Sequence, residues 1–408
     1  MALQSTNLCR VRAVTTFISL TPETQHWPAV LSDAKKQCDK LTHQFESIGY
    51  QVQSIRIVTN PFGEYLDTTT AKTAMEGLAN IQSILSGINQ GGMRIRFAVG
   101  EARNAHEVEI LPEMIRTYGD LCNACVNVDT DENGFLDNEM IKTCCQAIHR
   151  IGAITPRGEG NFNFTVNFNC DSFIPYFPAS YHRGERGNCF VVGLETPDLL
   201  VAALTPLVEE ENNHAGFFNQ AYEAMHAALQ FHVDKIQAAI PLAGVDAGWE
   251  YAGMDTSAAP SKNCASMVDV YRLLGVPYFG AAGTVEASAL LTRVFKTVRD
   301  VDAVGFSGLM LAVTEDEGLA EATRLQQFDI RALLTYSSVC GIGLDTVPIE
   351  GNTPNEKIAA IMRDTGTMAF RLKKPLTVRL FPVPGLKAGE HTRFESDDLC
   401  NCAVMAIP

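Results

Sequence analysis

Acidic, amide and hydroxyl side chains gather where several apolar runs of this sequence end. They are Asn127 and Asp129 after one run, Asn167, Asn169, Asp171 and Ser172 after a second, Asp255, Thr256 and Ser257 after a third, Asp316 and Glu317 after a fourth, and Asp345 in a fifth. Carboxylates that converge on one pocket either hold a divalent cation or separate their pKa values into an acid and a base. Each residue alone also has a structural interpretation as a cap or a turn.

The pattern assigns each group an expected role. The residues expected to transfer protons are Asp255, Asp316, Glu317 and Asp171. The residues expected to orient the substrate or line its pocket are Asn127, Asn167, Asn169, Ser257, Thr284 and Cys340. Thr314 and Glu317 also have the spacing of a helix capping box, which explains part of that acidic group structurally.

The segment 129–140 begins like a calcium-binding loop. Asp129, Asp131 and Asn133 supply oxygens at alternate positions, and Gly134 follows where such a loop turns. The last position holds Met140 instead of the bidentate glutamate, and the residues before the loop read as a strand. A helix–loop–helix calcium site is therefore disfavoured. Asp129 and Asp131 remain candidate ligands for Mg²⁺ or Ca²⁺, and a turn that starts a helix is the alternative.

The elements that must position these residues alternate between strand and helix. Apolar alternation predicts strands near 10–20, 51–59, 93–99 and 121–128, and apolar spacing of three or four predicts helices between them. The order βαβαβαβα favours mostly parallel strands covered by helices, whose carboxyl ends form one rim. Further strands are predicted near 164–168, 189–194, 249–255 and 376–382, a pair of strands at 338–349, and the longest helix at 212–240. The loop 176–187, which is rich in polar, aromatic and basic residues, is a candidate lid.

Composition excludes several classes of function. The 408-residue chain is 46% hydrophobic and 19% charged, which is an ordinary globular balance. Its net charge of −15 would repel nucleic acid phosphates and anionic membranes. The N-terminus lacks a secretory pattern, and no apolar run approaches the roughly 18 residues of a membrane span. We therefore expect a cytoplasmic protein with a small-molecule partner.

The twelve cysteines are scattered and mostly lie in apolar runs, so we expect reduced, buried thiols. Cys122 and Cys125 form a CxxC, but the strand predicted there would point them to opposite faces. Cys340 and Cys264 are weak candidates for a nucleophile, because neither has a histidine beside it in sequence. The glycine-rich pieces match neither a dinucleotide fingerprint nor a P-loop, so nucleotide binding is unsupported.

Four stretches of the C-terminal half together resemble a known family. They are 255–261 (DTSAAPS), 282–284 (AGT), 314–318 (TEDEG) and 338–345 (SVCGIGLD), in this order. The chain resembles domain-of-unknown-function family 711, also called uncharacterised protein family 0210, over nearly its whole length. The loop 176–187 departs from the bacterial members, so the substrate could differ from theirs.

The resemblance implies an α/β barrel like those of pyruvate formate-lyase and ribonucleotide reductase. Such a barrel has about ten strands in two parallel halves, which here would be about 1–210 and 211–408 of a single domain. The C-terminus lacks a glycyl-radical motif of the form RVxGY, so we infer no radical chemistry. The family's activity is generally unassigned, so the resemblance supplies a fold and no reaction.

Two functions remain open from the sequence. The first is a cytoplasmic enzyme that acts on a small metabolite at the barrel centre by carboxylate acid–base chemistry, with or without a divalent metal. Lyase, isomerase, cyclase and hydrolase reactions all fit it. The second is a non-catalytic protein that binds or senses a metabolite in the same pocket. The sequence also leaves a homodimer open.

Overall fold

Strands and helices alternate along most of the chain. The computed structural model describes residues 2–209 and 216–408. The strands are β1 (Arg10–Ile18), β2 (Ile55–Thr59), β3 (Ile95–Glu101), β4 (Asn123–Val128), β5 (Phe164–Phe168), β6 (Cys189–Glu195), β7 (Glu250–Asp255), β8 (Gly343–Glu350) and β9 (Leu376–Val383). The α-helices are α1 (Trp27–Ser47), α2 (Ala71–Ile88), α3 (Ala105–Tyr118), α4 (Asn138–Ile154), α5 (Pro197–Glu209), α6 (Phe217–Ala239), α7 (Met267–Leu273), α8 (Thr284–Lys296), α9 (Glu317–Arg324), α10 (Ile330–Ser337) and α11 (Asn355–Leu372).

The helices form where apolar residues recur every three or four positions. In α1, Leu31, Cys38 and Phe45 lie on one stripe and are fully buried against the sheet. The helix begins at Trp27, with Pro28 in its first turn, after a short 3₁₀ turn. The periodicity therefore predicted the buried face correctly but could not place the first turn.

The nine strands form one sheet in the order β7-β6-β1-β2-β3-β4-β5-β9-β8. Strands β1 to β5 are parallel to one another, and so are β6 with β7 and β8 with β9. The β1–β6 and β5–β9 pairs are antiparallel. The α/β class expected from the sequence is confirmed. The strand direction changes between β5 and β6, so β6 runs antiparallel to the other strands of the expected first half, 1–210.

An irregular segment, residues 302–313, contacts both edges of this sheet. Ala303 bridges to Met254 of β7, and Ala312 bridges to Asp345 of β8, both in the parallel sense. This segment stands where a tenth strand would complete a ring, although it forms no continuous ladder. The structure therefore has nine regular strands among its described residues, against the predicted number of about ten.

The two faces of the sheet carry different side chains. On the outer face, residues such as Ile55 and Ile57 of β2 join a large apolar core with the helices. Side chains alternate along a strand, so Arg56 between them points to the inner face. The same alternation places polar residues of other strands on the inner face, namely Arg96, Asn123, Thr165, Asn167, Thr377 and Arg379.

The loop 169–188, after β5, packs against the inner face of the sheet. Its Pro175 carbonyl accepts a hydrogen bond from Thr15 Oγ1 at 2.9 Å, and Tyr176 Oη donates to the Leu194 carbonyl at 3.0 Å. His182 is fully buried and its Nε2 lies 2.8 Å from the Ile18 carbonyl. Much of the loop, including residues 173–176 and 178–182, is therefore interior structure, and residues 183–188 lie on the surface.

Two further expectations concern residues that the structure does not describe. The predicted junction of the two halves near residues 210 and 211, and the start of the helix predicted at 212–240, lie outside the described residues. The strand pair predicted for 338–349 is wrong, because α10 runs to Ser337 and one strand, β8, begins at Gly343.

None of the helices in the described part of the chain combines the length and the apolar character that a membrane span requires.

Candidate functional site

A cavity of about 870 Å³ opens at the amino ends of β1, β2 and β3. Its walls come from the inner face of the sheet, from the loop 169–188 and from residues 306–315. Six arginines line the cavity, which we call the arginine-lined cavity: Arg12, Arg56, Arg94, Arg96, Arg116 and Arg379. Five acidic residues also line the cavity, namely Asp120, Glu159, Glu315, Asp345 and Asp398, so its walls carry both kinds of charge.

The strands bring three of these arginines close enough for their charges to interact. Arg56 of β2 lies directly opposite Arg96 of β3 in the parallel register. Arg12 is the extra residue of a β-bulge where β1 pairs with β6, since Val11 and Ala13 face Leu194 and Gly193. A bulge re-aims the side chain that it carries, and here it brings Arg12 to the cavity.

Arg56 is a buried cation without a carboxylate partner. The residue is 7% exposed, and its guanidinium donates only to Ser54 Oγ at 3.1 Å and to the Pro175 carbonyl at 3.5 Å. Its Cζ also lies 5.0 Å from the centre of the Phe177 ring. Burial, followed by the charges of Arg12 and Arg96, lowers the pKa of Arg56. An arginine stays protonated even so, and Arg56 forms no salt bridge with a described carboxylate, although the charge of Glu315 acts on it from a greater distance.

Arg12 and Arg96 extend this positive region toward solvent. Arg12 Nη1 donates to Gln53 Oε1 at 3.0 Å and forms no salt bridge within the described part of the chain. Arg96 is about half exposed and reaches Asp398 at 3.4 Å, at the mouth of the cavity. A surface pair of this kind contributes little energy. Two cations, Arg12 and Arg56, are therefore free to receive an anion.

The wall formed by β8 and β9 carries a different group. Arg379 Nε donates to Asp345 Oδ1 at 2.7 Å, and its Nη2 donates to Glu315 Oε1 at 2.5 Å. Asp345 lies at a register shift of β8 and is 3% exposed. Its second oxygen, Oδ2, is buried without a hydrogen-bond donor among the described residues. This wall therefore offers a vacant acceptor.

Glu315 has the electrostatics of an acid–base group. Burial raises the pKa of Glu315, the Arg379 charge lowers it, and the nearby Asp345 carboxylate raises it further. Two carboxyl groups share one guanidinium, so the protonated form of Glu315 is favoured more than in an exposed glutamate. A carboxyl group with a raised pKa beside a cavity is the usual arrangement for proton transfer near neutral pH.

Comparison with known proteins places the chain in a family. The profile described as "Uncharacterised ACR (DUF711)" matches residues 2–395. The chain belongs to the DUF711 family. A UPF0210 protein of Thermoanaerobacter sp. (strain X514) is 26% identical over 377 residues, which cover 88% of this chain and 80% of that protein. A UPF0210 protein of Pyrobaculum arsenaticum is 26% identical over 414 residues, with coverages of 93% and 86%. The family resemblance noted from the sequence is confirmed.

Two solved structures are also similar to the chain. The anaerobic ribonucleotide reductase of Thermotoga maritima, with citrate in its active site, has 10% sequence identity and a TM-score of 0.37. That match covers 90% of this chain and 80% of the other. A second anaerobic ribonucleotide reductase has 9% identity and a TM-score of 0.38, with coverages of 90% and 70%.

In this DUF711 chain, the predicted catalytic residue Asp255 holds a loop together. It is fully buried at the end of β7, and Phe306 N donates to its Oδ2 at 2.8 Å. Its Oδ1 accepts from Ser307 N at 3.1 Å and from Ser257 N at 2.9 Å. Gly305 has a φ of +64°, and a Cβ there would overlap Oδ2. Burial raises the pKa of Asp255, and these hydrogen bonds lower it. Both oxygens are already occupied.

Asp316 is the N-cap of α9. Its Oδ1 accepts from Gly318 N at 2.9 Å and Leu319 N at 3.1 Å, and its Oδ2 accepts from Met267 N at 2.8 Å. The predicted capping box from Thr314 is wrong, because Asp316 takes the cap position itself. Glu317 is exposed at the first position of the helix. Neither acid lines the arginine-lined cavity.

The expected substrate amides lie at the opposite ends of the strands. Asn167 Nδ2 donates to Asn127 Oδ1 at 3.1 Å, and Asn127 Nδ2 donates to Glu101 Oε1 at 2.8 Å. Glu101 also accepts two hydrogen bonds from Arg183 in the loop 169–188. The structure thus brings Asn127 and Asn167 together. Asn169 and Asp171 are exposed where that loop begins.

The candidate metal ligands lie in an exposed turn. Asp131 Oδ1 accepts hydrogen bonds from Asn133 N and Phe135 N, both at 2.9 Å. Asp129 is exposed, and Asp137 caps α4. Within residues 2–209 and 216–408, no cluster of three or more His, Cys, Asp or Glu residues could hold a metal ion. A role for Mg²⁺ or Ca²⁺ at Asp129 and Asp131 stays a prediction.

The remaining predicted residues make local hydrogen bonds that support loops and turns. Ser257 Oγ accepts from Gly308 N at 3.0 Å. Thr284 Oγ1 donates to the Ala281 carbonyl at 2.7 Å, and Cys340 Sγ accepts from Gly343 N at 3.5 Å. All three side chains are buried, and none lines the cavity. Ser257 thus holds part of the segment that lines the cavity from 306 to 315, and Thr284 and Cys340 each hold a turn of their own part of the chain.

The residues that do line the cavity carried a signal in the sequence. Arg12, Arg56, Arg96 and Arg379 each interrupt an otherwise apolar strand. Buried strands seldom carry arginine unless it has a partner, so a repeated inward arginine marks a polar interior. The alternation at 93–99 indicated only a strand, and Asp345 was grouped with the other strand-end acids. Glu315 was not singled out.

Proposed function

We propose that this protein is an enzyme that acts on a small anionic metabolite bound in the arginine-lined cavity. Glu315 and Asp345 transfer protons to and from the bound molecule, and Arg379 holds both carboxylates in place. The observation that carries this proposal is Arg56, a buried cation at the cavity wall without a carboxylate partner among the described residues.

Binding follows from the chemistry of the guanidinium group. Its planar fork of donors matches carboxylate and phosphate oxygens, and such charge-assisted hydrogen bonds are about twice as strong as neutral ones. An anion that enters the cavity neutralises Arg56 and Arg12, neither of which forms a salt bridge with a described carboxylate.

Catalysis requires a group that exchanges protons near the bound molecule. The raised pKa of Glu315, caused first by burial, supports that role. Arg379 stabilises the ionised form of Glu315, and the Asp345 carboxylate on the other side of Arg379 favours its protonated form. Lyase, isomerase, cyclase and hydrolase reactions on an anionic substrate all fit these groups.

The test combines a ligand screen with a matched pair of variants. A panel of small carboxylates and phosphates is first screened by thermal shift, and turnover of each ligand found is then followed by mass spectrometry. Glu315→Gln should lower turnover by about 100-fold or more while the ligand still shifts the melting temperature. The control Glu321→Gln, on the exposed side of α9, should leave turnover unchanged. Full turnover in Glu315→Gln would overturn the catalytic role, and binding without any turnover would favour a metabolite-binding protein.

A further inference from the structure

The two charged walls of the arginine-lined cavity have opposite hydrogen-bonding needs. On the β1–β2 wall, Arg12 and Arg56 present donors that meet only neutral acceptors. On the β8–β9 wall, Asp345 Oδ2 is a buried acceptor without a donor among the described residues. Buried polar groups are normally paired, so each wall lacks a partner of a particular kind.

The strand order places these walls across the ring from each other. From β2 to β8 the path through β3, β4, β5 and β9 takes five steps. The path the other way, through β1, β6, β7 and the segment 302–313, also takes five steps. Arg56 of β2 and Asp345 of β8 therefore face one another across the cavity that both of them line.

The charges of the two walls differ as well. Arg12 and Arg56 are two cations without a salt bridge in the described ranges, so a group of charge −2 would balance them. Arg379, Glu315 and Asp345 combine one cation with two carboxyl groups. That wall has no excess of positive charge to hold a second anion, and its vacant acceptor favours a hydrogen-bond donor. The complement of the whole cavity is a molecule with unlike ends.

We propose that the ligand is a small molecule with a dianionic group at one end and an amino or hydroxyl group at the other. The dianionic group, a phosphate or a pair of carboxylates, binds Arg12 and Arg56, and the amino or hydroxyl group donates to Asp345 Oδ2. The proposal rests on the proposed function, because it specifies what the same cavity holds. A volume of about 870 Å³ accommodates such a molecule with ordered water beside it.

Isothermal titration calorimetry of the wild-type chain tests the inference with matched pairs of probes. Inorganic phosphate is compared with phosphoethanolamine and glycerol 3-phosphate, and succinate is compared with malate. In each comparison, phosphoethanolamine, glycerol 3-phosphate or malate carries an amino or hydroxyl group in addition to the anionic group of the plain anion. We expect the bifunctional probe of at least one pair to bind about tenfold tighter than its plain anion, and acetate to bind about tenfold weaker than the dianions. The pair with the larger gain identifies the anion as phosphate or dicarboxylate.

Three variants assign the two ends. Arg56→Gln should weaken every dianion by about 10- to 100-fold. Asp345→Asn should leave inorganic phosphate or succinate unchanged and remove only the gain of the bifunctional probes. Arg331→Gln, which removes an exposed arginine outside the cavity, should change none of these affinities. If Asp345→Asn does not fold, the wild-type ratios still decide.

The outcomes that overturn the inference differ from those that overturn the function. Bifunctional probes that bind no tighter than plain anions in either pair would refute the amino or hydroxyl end. Acetate that binds as tightly as the dianions would refute the dianionic end. Both results leave the catalytic test of Glu315→Gln intact. Failure of every anion to bind would overturn the inference and the proposed function together.

Discussion

Two buried polar regions of this protein differ in whether their hydrogen-bonding capacity is used. At the carboxyl end of β7, Asp255 accepts three backbone hydrogen bonds, and Asp316 at the start of α9 accepts hydrogen bonds from three backbone N–H groups and a serine hydroxyl. At the amino ends of β1 and β2, Arg12 and Arg56 meet only neutral oxygens. Both regions are rich in charge, but Arg12 and Arg56 line the cavity, whereas Asp255 and Asp316 do not.

The difference separates structural acids from a binding site. A buried carboxylate whose oxygens are filled by backbone N–H groups stabilises a loop and has little left for a substrate. A buried guanidinium without a counter-charge costs stability, and a bound anion relieves that cost. Unused hydrogen-bonding capacity at a cavity wall is therefore a better guide to a site than the density of polar residues.

The largest effect is expected for Asp255→Ala. The change leaves three buried N–H groups, those of Ser257, Phe306 and Ser307, without their acceptor, so the free energy of unfolding should fall by about 3 to 5 kcal/mol. Denaturant unfolding measures this loss. A loss below about 1 kcal/mol would mean that Asp255 is not the structural acid described here.

A smaller loss is expected for Asp316→Ala. The variant removes the cap of α9 and the acceptor of Met267 N, which together should cost about 2 to 3 kcal/mol. Asp316→Asn keeps one acceptor oxygen for the cap and should lose less. Equal losses in the two variants, measured by the same unfolding experiment, would argue against the capping role.

Arg56→Gln should change stability little in the absence of ligand. The variant breaks no salt bridge and relieves repulsion from Arg12 and Arg96, so the free energy of unfolding should stay equal or rise by up to about 1 kcal/mol. Thermal melting at low and high salt checks this. A loss as large as that of Asp255→Ala would place Arg56 among the structural residues and remove the contrast between the regions.

The smallest effect is a pH dependence at Glu315. Its pKa is raised in the folded protein, so it contributes stability that is present below its unfolded pKa of about 4.3 and lost as pH rises through its folded pKa. Glu315→Gln lacks this component. Its melting temperature minus that of the wild type should therefore increase as pH rises from about 4 and then level off. A flat difference across this range would show that the pKa is not raised.

Much of the fold could be predicted from the spacing of apolar residues. The stripe of Leu31, Cys38 and Phe45 predicted the buried face of α1, and the alternation around Ile55 and Ile57 predicted β2. The segment 302–313 could not be predicted in the same way. Its apolar run from Phe306 reads as a strand, but Asp255 takes the N–H groups of Phe306 and Ser307 that a ladder would need.

The candidate site could be predicted only in part. The rule that parallel strands place sites at their carboxyl ends directed attention to Asp129, Asp171 and Asp255, whereas the cavity opens at the amino ends of β1 to β3. The loop 169–188 packs against the inner face of the sheet and so decides at which end of the strands the cavity stays open. This packing is a tertiary feature that the local sequence pattern does not reveal. Of the strand-end residues considered, Asp345 lines the cavity because a register shift in β8 turns it inward.

The central claim is that the vacant binding capacity of this protein lies at Arg12 and Arg56. Crystals soaked in selenate, a tetrahedral dianion with an anomalous signal, test it most directly. We predict an anomalous peak within hydrogen-bonding distance of the Arg56 guanidinium in the wild type, and its disappearance in Arg56→Gln with the rest of the structure unchanged. Selenate bound only on the outer surface, or an empty cavity at saturating selenate, would contradict the claim.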